Sequence, residues 1–144
     1  MLLSSASSSY AQSKTIRGRV ITDDFMPLPG VVIRIDKTVE IGKSDLEGFF
    51  EINIPVSVKK ISFSAIGIEE AYTELADDCE EVELVMLSRG TYCFSSAKKI
   101  DRLRIRKFKK ILGVHKEAFE KGIFKEDKAC YTQIFKPLYT KERK

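Results

Sequence analysis

A single histidine, no tryptophan and three cysteines are all that this 144-residue chain offers of several chemically informative side chains. The histidine is His115 and the cysteines are Cys79, Cys93 and Cys130. A histidine-rich zinc site or a CxxC pair cannot be built from that inventory. No run approaches 18 apolar residues, so nothing spans a bilayer as a helix. No GxSxG or SxxK-type frame sits where a strained elbow would form. What is present suits a folded protein. Hydrophobic residues make up 43% and charged residues 32%, which supports a packed core and argues against wholesale disorder. The length suits one domain.

The net charge of +4 hides a split. Residues 1–88 hold 8 Lys and Arg against 15 Asp and Glu, a net −7, whereas residues 89–144 hold 17 against 6, a net +11. Such asymmetry marks two compositional regions. Either the basic part lies on the acidic part of the same molecule, or it meets an anionic partner.

Residues 1–13 are small, polar and Ser-rich. Ser9-Tyr10-Ala11 sets small residues at the −3 and −1 positions that signal peptidase reads. A basic n-region is missing and the apolar h-region nearly so. The segment is read as the end of a secretory signal that starts upstream of Met1, with a disordered tail as the alternative. Strand-like patterning begins directly after Gln12, which favours the former.

From Thr15 to Leu87 the apolar period is two. Ile16, Gly18 and Val20 alternate with Arg17, Arg19 and Ile21, and the same holds for Val31–Ile35, Phe49–Ile54, Ile61–Ile66 and Glu81–Met86. Alternate strand side chains point to opposite faces, so each run offers one apolar face to a core. Weaker strands fit Val39–Ile41 and Ala71–Leu75. Seven short strands broken by Gly, Pro and Asp predict a small antiparallel sandwich. The turns have mechanisms. Pro27-Leu28-Pro29-Gly30 fixes two φ angles and then supplies a residue tolerant of positive φ. In Ser44-Asp45-Leu46-Glu47-Gly48, Asp45 accepts backbone N–H bonds and Gly48 takes a left-handed conformation. Gly67 breaks the run after Ile66.

Gly18-Arg19-Val20, Pro27-Leu28-Pro29-Gly30-Val31, Ser44-Asp45 with Gly48-Phe49-Phe50, and Ile61-Ser62-Phe63-Ser64 with Ile66-Gly67 follow in order. This series resembles the carboxypeptidase regulatory-like domain, a transthyretin-like sandwich, over about residues 14–88. One departure is Ile68, where that family usually has an aromatic. The resemblance implies a Greek-key sandwich used as a non-catalytic appendage in exported Bacteroidetes proteins, including the N-terminal extension of TonB-dependent receptors. The metallocarboxypeptidases that share the family's name hold zinc with two histidines and a glutamate. With His115 alone, and Ala118 three positions on, those ligands are lacking. No catalytic, metal or cofactor residues are therefore assigned.

Beyond Arg89 the period changes. Residues 89–144 are read as a basic, mostly helical extension. Lys98–Leu112 places Ile100, Leu103, Phe108, Ile111 and Leu112 on one stripe. Between Lys98 and Lys110 eight basic residues stand against Asp101. Of these, Arg102, Arg104, Arg106, Lys107, Lys109 and Lys110 form the candidate polyanion-binding or docking helix. Docking, the favoured reading, requires Ile100, Leu103, Phe108 and Ile111 to be buried. Gly113 is read as an interruption, with a second helix from His115 to Lys121 ended by Gly122. The apolar stretch Ala129–Tyr139 is expected to pack on something.

Cys93 and Cys130 lie among aromatics and are the candidate disulfide in an oxidising compartment, with buried thiols as the alternative. Cys79 sits in the acidic stretch Asp77, Asp78, Glu80, Glu81 and Glu83, which is read as a solvated loop leading into a strand. The expected protein is an exported, non-catalytic module in the periplasm or at the outer membrane. Its expected partner is another envelope protein, with an anionic lipid or lipopolysaccharide surface as the alternative. Neither nucleic acid nor a small-molecule substrate is expected.

Overall fold

The period-two runs form strands where the alternation places them. The computed structural model describes residues 12–90 and 96–137. Seven strands come first: β1 (Ser13–Thr22), β2 (Val32–Ile35), β3 (Val39–Lys43), β4 (Phe49–Pro55), β5 (Lys60–Ala65), β6 (Ile68–Leu75) and β7 (Glu81–Met86). They are followed by α1 (Ala97–Phe108), α2 (Ile111–Glu120) and a short β8 (Tyr131–Ile134). The molecule is a mainly-β sandwich. One sheet has the order β4-β1-β7 and the other β3-β2-β5-β6-β8.

Two features depart from seven antiparallel strands. The described residues hold eight strands, because β8 adds itself to the edge of β6 with Tyr72 opposite Ile134 and Leu75 opposite Tyr131. And β1 runs parallel to β7, with Gly18 opposite Val82 and Val20 opposite Leu84. Gly18 explains how closely these two strands approach. A Cβ at that position would lie 1.8 Å from the Val82 carbonyl oxygen, so no other residue fits without shifting β7.

Between the sheets lies the main core, which includes Ile16, Val20, Ile33, Ile52, Ile54, Phe63, Leu84 and Met86. Phe50 meets Phe63 edge to face at 5.7 Å between ring centres. This is the arrangement the quadrupoles of two rings prefer. The turns behave as their residues dictate. Gly30, Gly48 and Gly67 all have positive φ, and Pro29 precedes the first of them. Asp45 Oδ1 accepts from the N–H groups of Glu47 and Phe49, at 2.9 Å each. Gly48, at φ +83, also sits where a Cβ would lie 2.5 Å from the Val20 carbonyl oxygen.

The second core lies on the other side of β7. Val82, Leu84 and Met86 face the main core, while Val85 and Leu87 join Ile21, Ile111, Ala118 and Phe124. α2 therefore covers the outer face of the three-stranded sheet. The helix break differs from the expectation at Gly113, which lies within the first turn of α2. The chain breaks instead at Lys109 and Lys110. Glycine disfavours a helix interior, but the apolar run Ile111, Val114, Ala118 needs the helix to start early enough to cover β7. Gly122, at φ +80, ends α2. Ile123 N–H bonds the Ala118 carbonyl at 2.9 Å and Gly122 N–H the Phe119 carbonyl at 3.0 Å, the pattern of a Schellman cap.

Candidate functional site

The sequence singled out six cations on the basic helix, and the structure divides them. Arg104 is held in place. Its Nε donates to Glu69 Oε2 at 3.1 Å, Nη1 to Asp101 Oδ1 at 2.7 Å and Nη2 to the Lys136 carbonyl at 3.1 Å. The guanidinium also lies 4.9 Å from the Phe135 ring centre. Burial alone would weaken its hold on the proton, but the Glu69 and Asp101 carboxylates outweigh that and raise its pKa. Lys107 Nζ donates to the Ser88 carbonyl at 3.2 Å. Arg102, Arg106, Lys109 and Lys110 are exposed.

The apolar stripe of α1 is less deeply placed than full docking requires. Ile111 is buried, whereas Ile100, Leu103 and Phe108 are half-buried. No residue of α1 is buried. The reason is geometric: α2, not α1, lies directly on β7. Phe108 packs on the rim of the second core and edge to face on Phe135, 5.4 Å away.

The candidate disulfide is corrected. Cys130 is joined to Cys79, with 5.2 Å between their Cα atoms and a sequence separation of 51. Cys93 lies outside the described residues. Pairing of β8 with β6 carries Cys130 beside the β6–β7 loop, where the Ala76 N–H also bonds the Cys130 carbonyl at 3.0 Å. That places Cys79 as its partner.

The acidic stretch is corrected at one residue. Glu83 lies on β7, where the alternation puts it, but its side chain is buried against the extension instead of facing solvent. Its carboxylate accepts from Lys125 N–H at 2.8 and 3.0 Å and from Glu126 N–H at 3.0 Å. Three such bonds satisfy a buried carboxylate that would otherwise be costly. Tyr131 Oη donates to the Glu83 backbone carbonyl at 2.6 Å. Burial first, and the Glu83 charge second, raise the Tyr131 pKa well above its ordinary value. His115 is not at a helix start. It is buried in mid-helix against the Phe124 ring at 4.8 Å, with Nε2 3.1 Å from the Glu126 carbonyl.

A further group was not singled out. Lys37, Lys60 and Lys136 come from the β2–β3 turn, the start of β5 and the residues after β8, and they line one cavity together with Tyr72. Lys37 Nζ and Lys136 Nζ each stand 4.8 Å from the centre of the Tyr72 ring. Tyr72 Oη donates to Glu70 Oε1 at 3.0 Å. Burial, then this carboxylate, raise its pKa. These lysines lie far apart in sequence, and only strand pairing brings them together. Among the described residues, no group of His, Cys, Asp and Glu is arranged to hold a metal ion. Compared with protein-family models and with curated proteins, the chain matches none.

Proposed function

We propose that the protein is a non-catalytic interaction module exported to a bacterial cell envelope, with another envelope protein as its partner. In this reading, residues 14–88 are a Greek-key sandwich like that of carboxypeptidase regulatory-like domains, and residues 89–144 are its basic extension. The observation that carries the proposal is the Cys79–Cys130 bridge. Disulfides form and persist in oxidising compartments and are rare where thiols are kept reduced. The bridge ties the extension to the sandwich, so it belongs to the architecture. The sole histidine is committed to packing and a backbone contact, which fits a scaffold role.

The test is thiol alkylation of the protein in its native cells before lysis, followed by fractionation and mass spectrometry. The bridged peptide pair should appear in the envelope or periplasmic fraction. Two alkylated thiols at Cys79 and Cys130 in a cytosolic fraction would overturn the reading.

A second reading rests on exposed Arg102, Arg106, Lys109 and Lys110, which suit an anionic lipid or lipopolysaccharide surface. Anionic vesicles should then bind the protein with an affinity that falls steeply with salt. Replacing these four residues by Gln should abolish binding without changing thermal stability.

A further inference from the structure

The outer face of the five-stranded sheet bears a cavity of about 310 Å³ whose lining includes Lys37, Lys60, Ser62, Tyr72, Ile134 and Lys136. Three ammonium groups thus meet one carboxylate in the lining, Asp36. None of the three lysines forms a salt bridge among the described residues. All three are exposed, and the charge of Lys37 is the first reason that Lys136 holds its proton less tightly than an ordinary lysine, with slight desolvation and the nearness of Lys60 adding to it. Cations gathered in this way repel one another, and an anion seated between them removes that cost.

Two further observations point the same way. Ser62 lines the cavity, and its buried Oγ has no hydrogen-bond partner among the described residues. Such orphaned groups are rare in folded proteins. The Oγ is closed off from solvent, so an oxyanion or a water becomes its partner only when the cavity wall opens toward it. The turn that carries Lys37 is also built at a cost. Asp36 and Lys37 both have positive φ, 55 and 65, and Thr38 N–H bonds the Ile35 carbonyl at 3.1 Å. This is a hairpin turn in which glycine is preferred at the position of Lys37. Lysine stands there instead, with its ammonium group over Tyr72.

The geometry points to a binding site for a phosphate monoester, its phosphate among Lys37, Lys60 and Lys136 and its organic part against Tyr72 and Ile134. A monoester carries a charge of about −1.5 to −2 and three acceptor oxygens, which matches three ammonium donors. The cavity exceeds a single water's share of liquid volume, about 30 Å³, roughly tenfold, so it takes more than the phosphate alone.

The test uses the full, oxidised chain with phenyl phosphate as the soluble probe, followed by calorimetry and phosphorus NMR. Phosphatidylcholine vesicles containing phosphatidic acid, a lipid monoester, form the second arm. Phenyl phosphate should saturate one site per chain. Lys37→Gln and Lys136→Gln should each weaken it about tenfold, as expected for a lost charge-assisted hydrogen bond. Lys37→Gly should weaken binding equally while raising the melting temperature, because glycine relaxes the left-handed turn. That variant keeps the test independent of misfolding. Vesicle binding that is lost in Lys37→Gln assigns a lipid source, and saturable binding of phenyl phosphate without vesicle binding assigns a soluble one. Failure of phenyl phosphate to saturate overturns the proposal. So does unchanged affinity in the lysine variants, or an equal loss on replacing exposed Arg102 and Arg106 by Gln.

Discussion

The core inside the sandwich is closed by strand pairs on both sides, whereas the core between β7 and α2 is closed by side chains and a buried carboxylate. The first uses alternation alone: Ile16, Val20, Ile52, Ile54, Phe63 and Leu84 all point inward from paired strands. The second joins Ile21, Val85 and Leu87 to Ile111, Ala118 and Phe124 without a continuous hydrogen-bonded ladder between them. Glu83 fixes the loop after α2 to it, while Tyr131 on the Glu83 carbonyl and Cys130 on Cys79 tie the extension to the edge of the main core. Backbone ladders distribute the load over many bonds. A side-chain seam concentrates it in a few groups, so single substitutions there should act regionally.

The most damaging change should be Phe63→Ala. Removing a fully buried Phe costs about 3–5 kcal/mol. Because both sheets pack on it, denaturant unfolding should remain one transition at a much lower midpoint. A retained midpoint would show that the sandwich core is not the common support.

Replacing Cys79 and Cys130 together by Ser should cost up to about 4 kcal/mol, the loop-closure value for a cross-link of this span. Hydrogen exchange should quicken first in β8 while β1, β4 and β5 keep their protection. Uniform loss of protection would make the two cores one cooperative unit.

Glu83→Ala should cost about 1–3 kcal/mol, because it removes the charged acceptor of the N–H groups of residues 125 and 126. The loss should appear as faster exchange in α2 and the loop after it. An unchanged exchange pattern would show that the carboxylate is not a fixed point of the seam.

The smallest effect should be a pH effect at Tyr131. Its folded pKa is raised above the ordinary 10.0, chiefly by burial. The unfolded chain therefore ionises this phenol first as pH rises. The contribution to stability is complete below about pH 10 and is lost progressively above it. Tyr131→Phe should flatten that part of the alkaline decline and cost about 1 kcal/mol at neutral pH through the lost hydrogen bond. Identical alkaline slopes in the two proteins would remove Tyr131 from the seam's account.

Legibility in the sequence followed the same divide. All seven strands of residues 13–86 were readable, because a half-buried strand writes its burial as a period of two. The positive φ angles of Gly30 and Gly48 were readable from turn chemistry, whereas Gly67 was readable only as a break. The second core left a weaker trace. Ile21 and Val85 are apolar on a face that alternation assigns to solvent, which signals that something covers it. What covers it was not readable, since the docking of α2 depends on tertiary geometry. Arg104 was picked out only as one cation of six, and nothing local distinguishes it from Arg102. The disulfide was misassigned for a related reason: aromatic neighbours say that a cysteine is buried, but only the β6–β8 register decides which sulfur it meets. Lys37, Lys60 and Lys136 carry no spacing signal at all.

The placement of β1 has a consequence for the order of assembly. This first strand is the middle of its sheet, and both of its neighbours, β4 and β7, are made later. Its parallel partner is not available until Glu81–Met86 has been synthesised. The other sheet starts without such a delay, since β2 with β3 and β5 with β6 are sequential antiparallel neighbours, and only its edge strand β8 is added late. Local pairs form before distant ones because less chain entropy is lost in closing them. The nascent chain therefore carries Ile16, Val20 and Ile21 uncovered while the second sheet takes shape. During that interval the flanking Lys14, Arg17 and Arg19 are the charges that keep an unpaired strand from finding another chain.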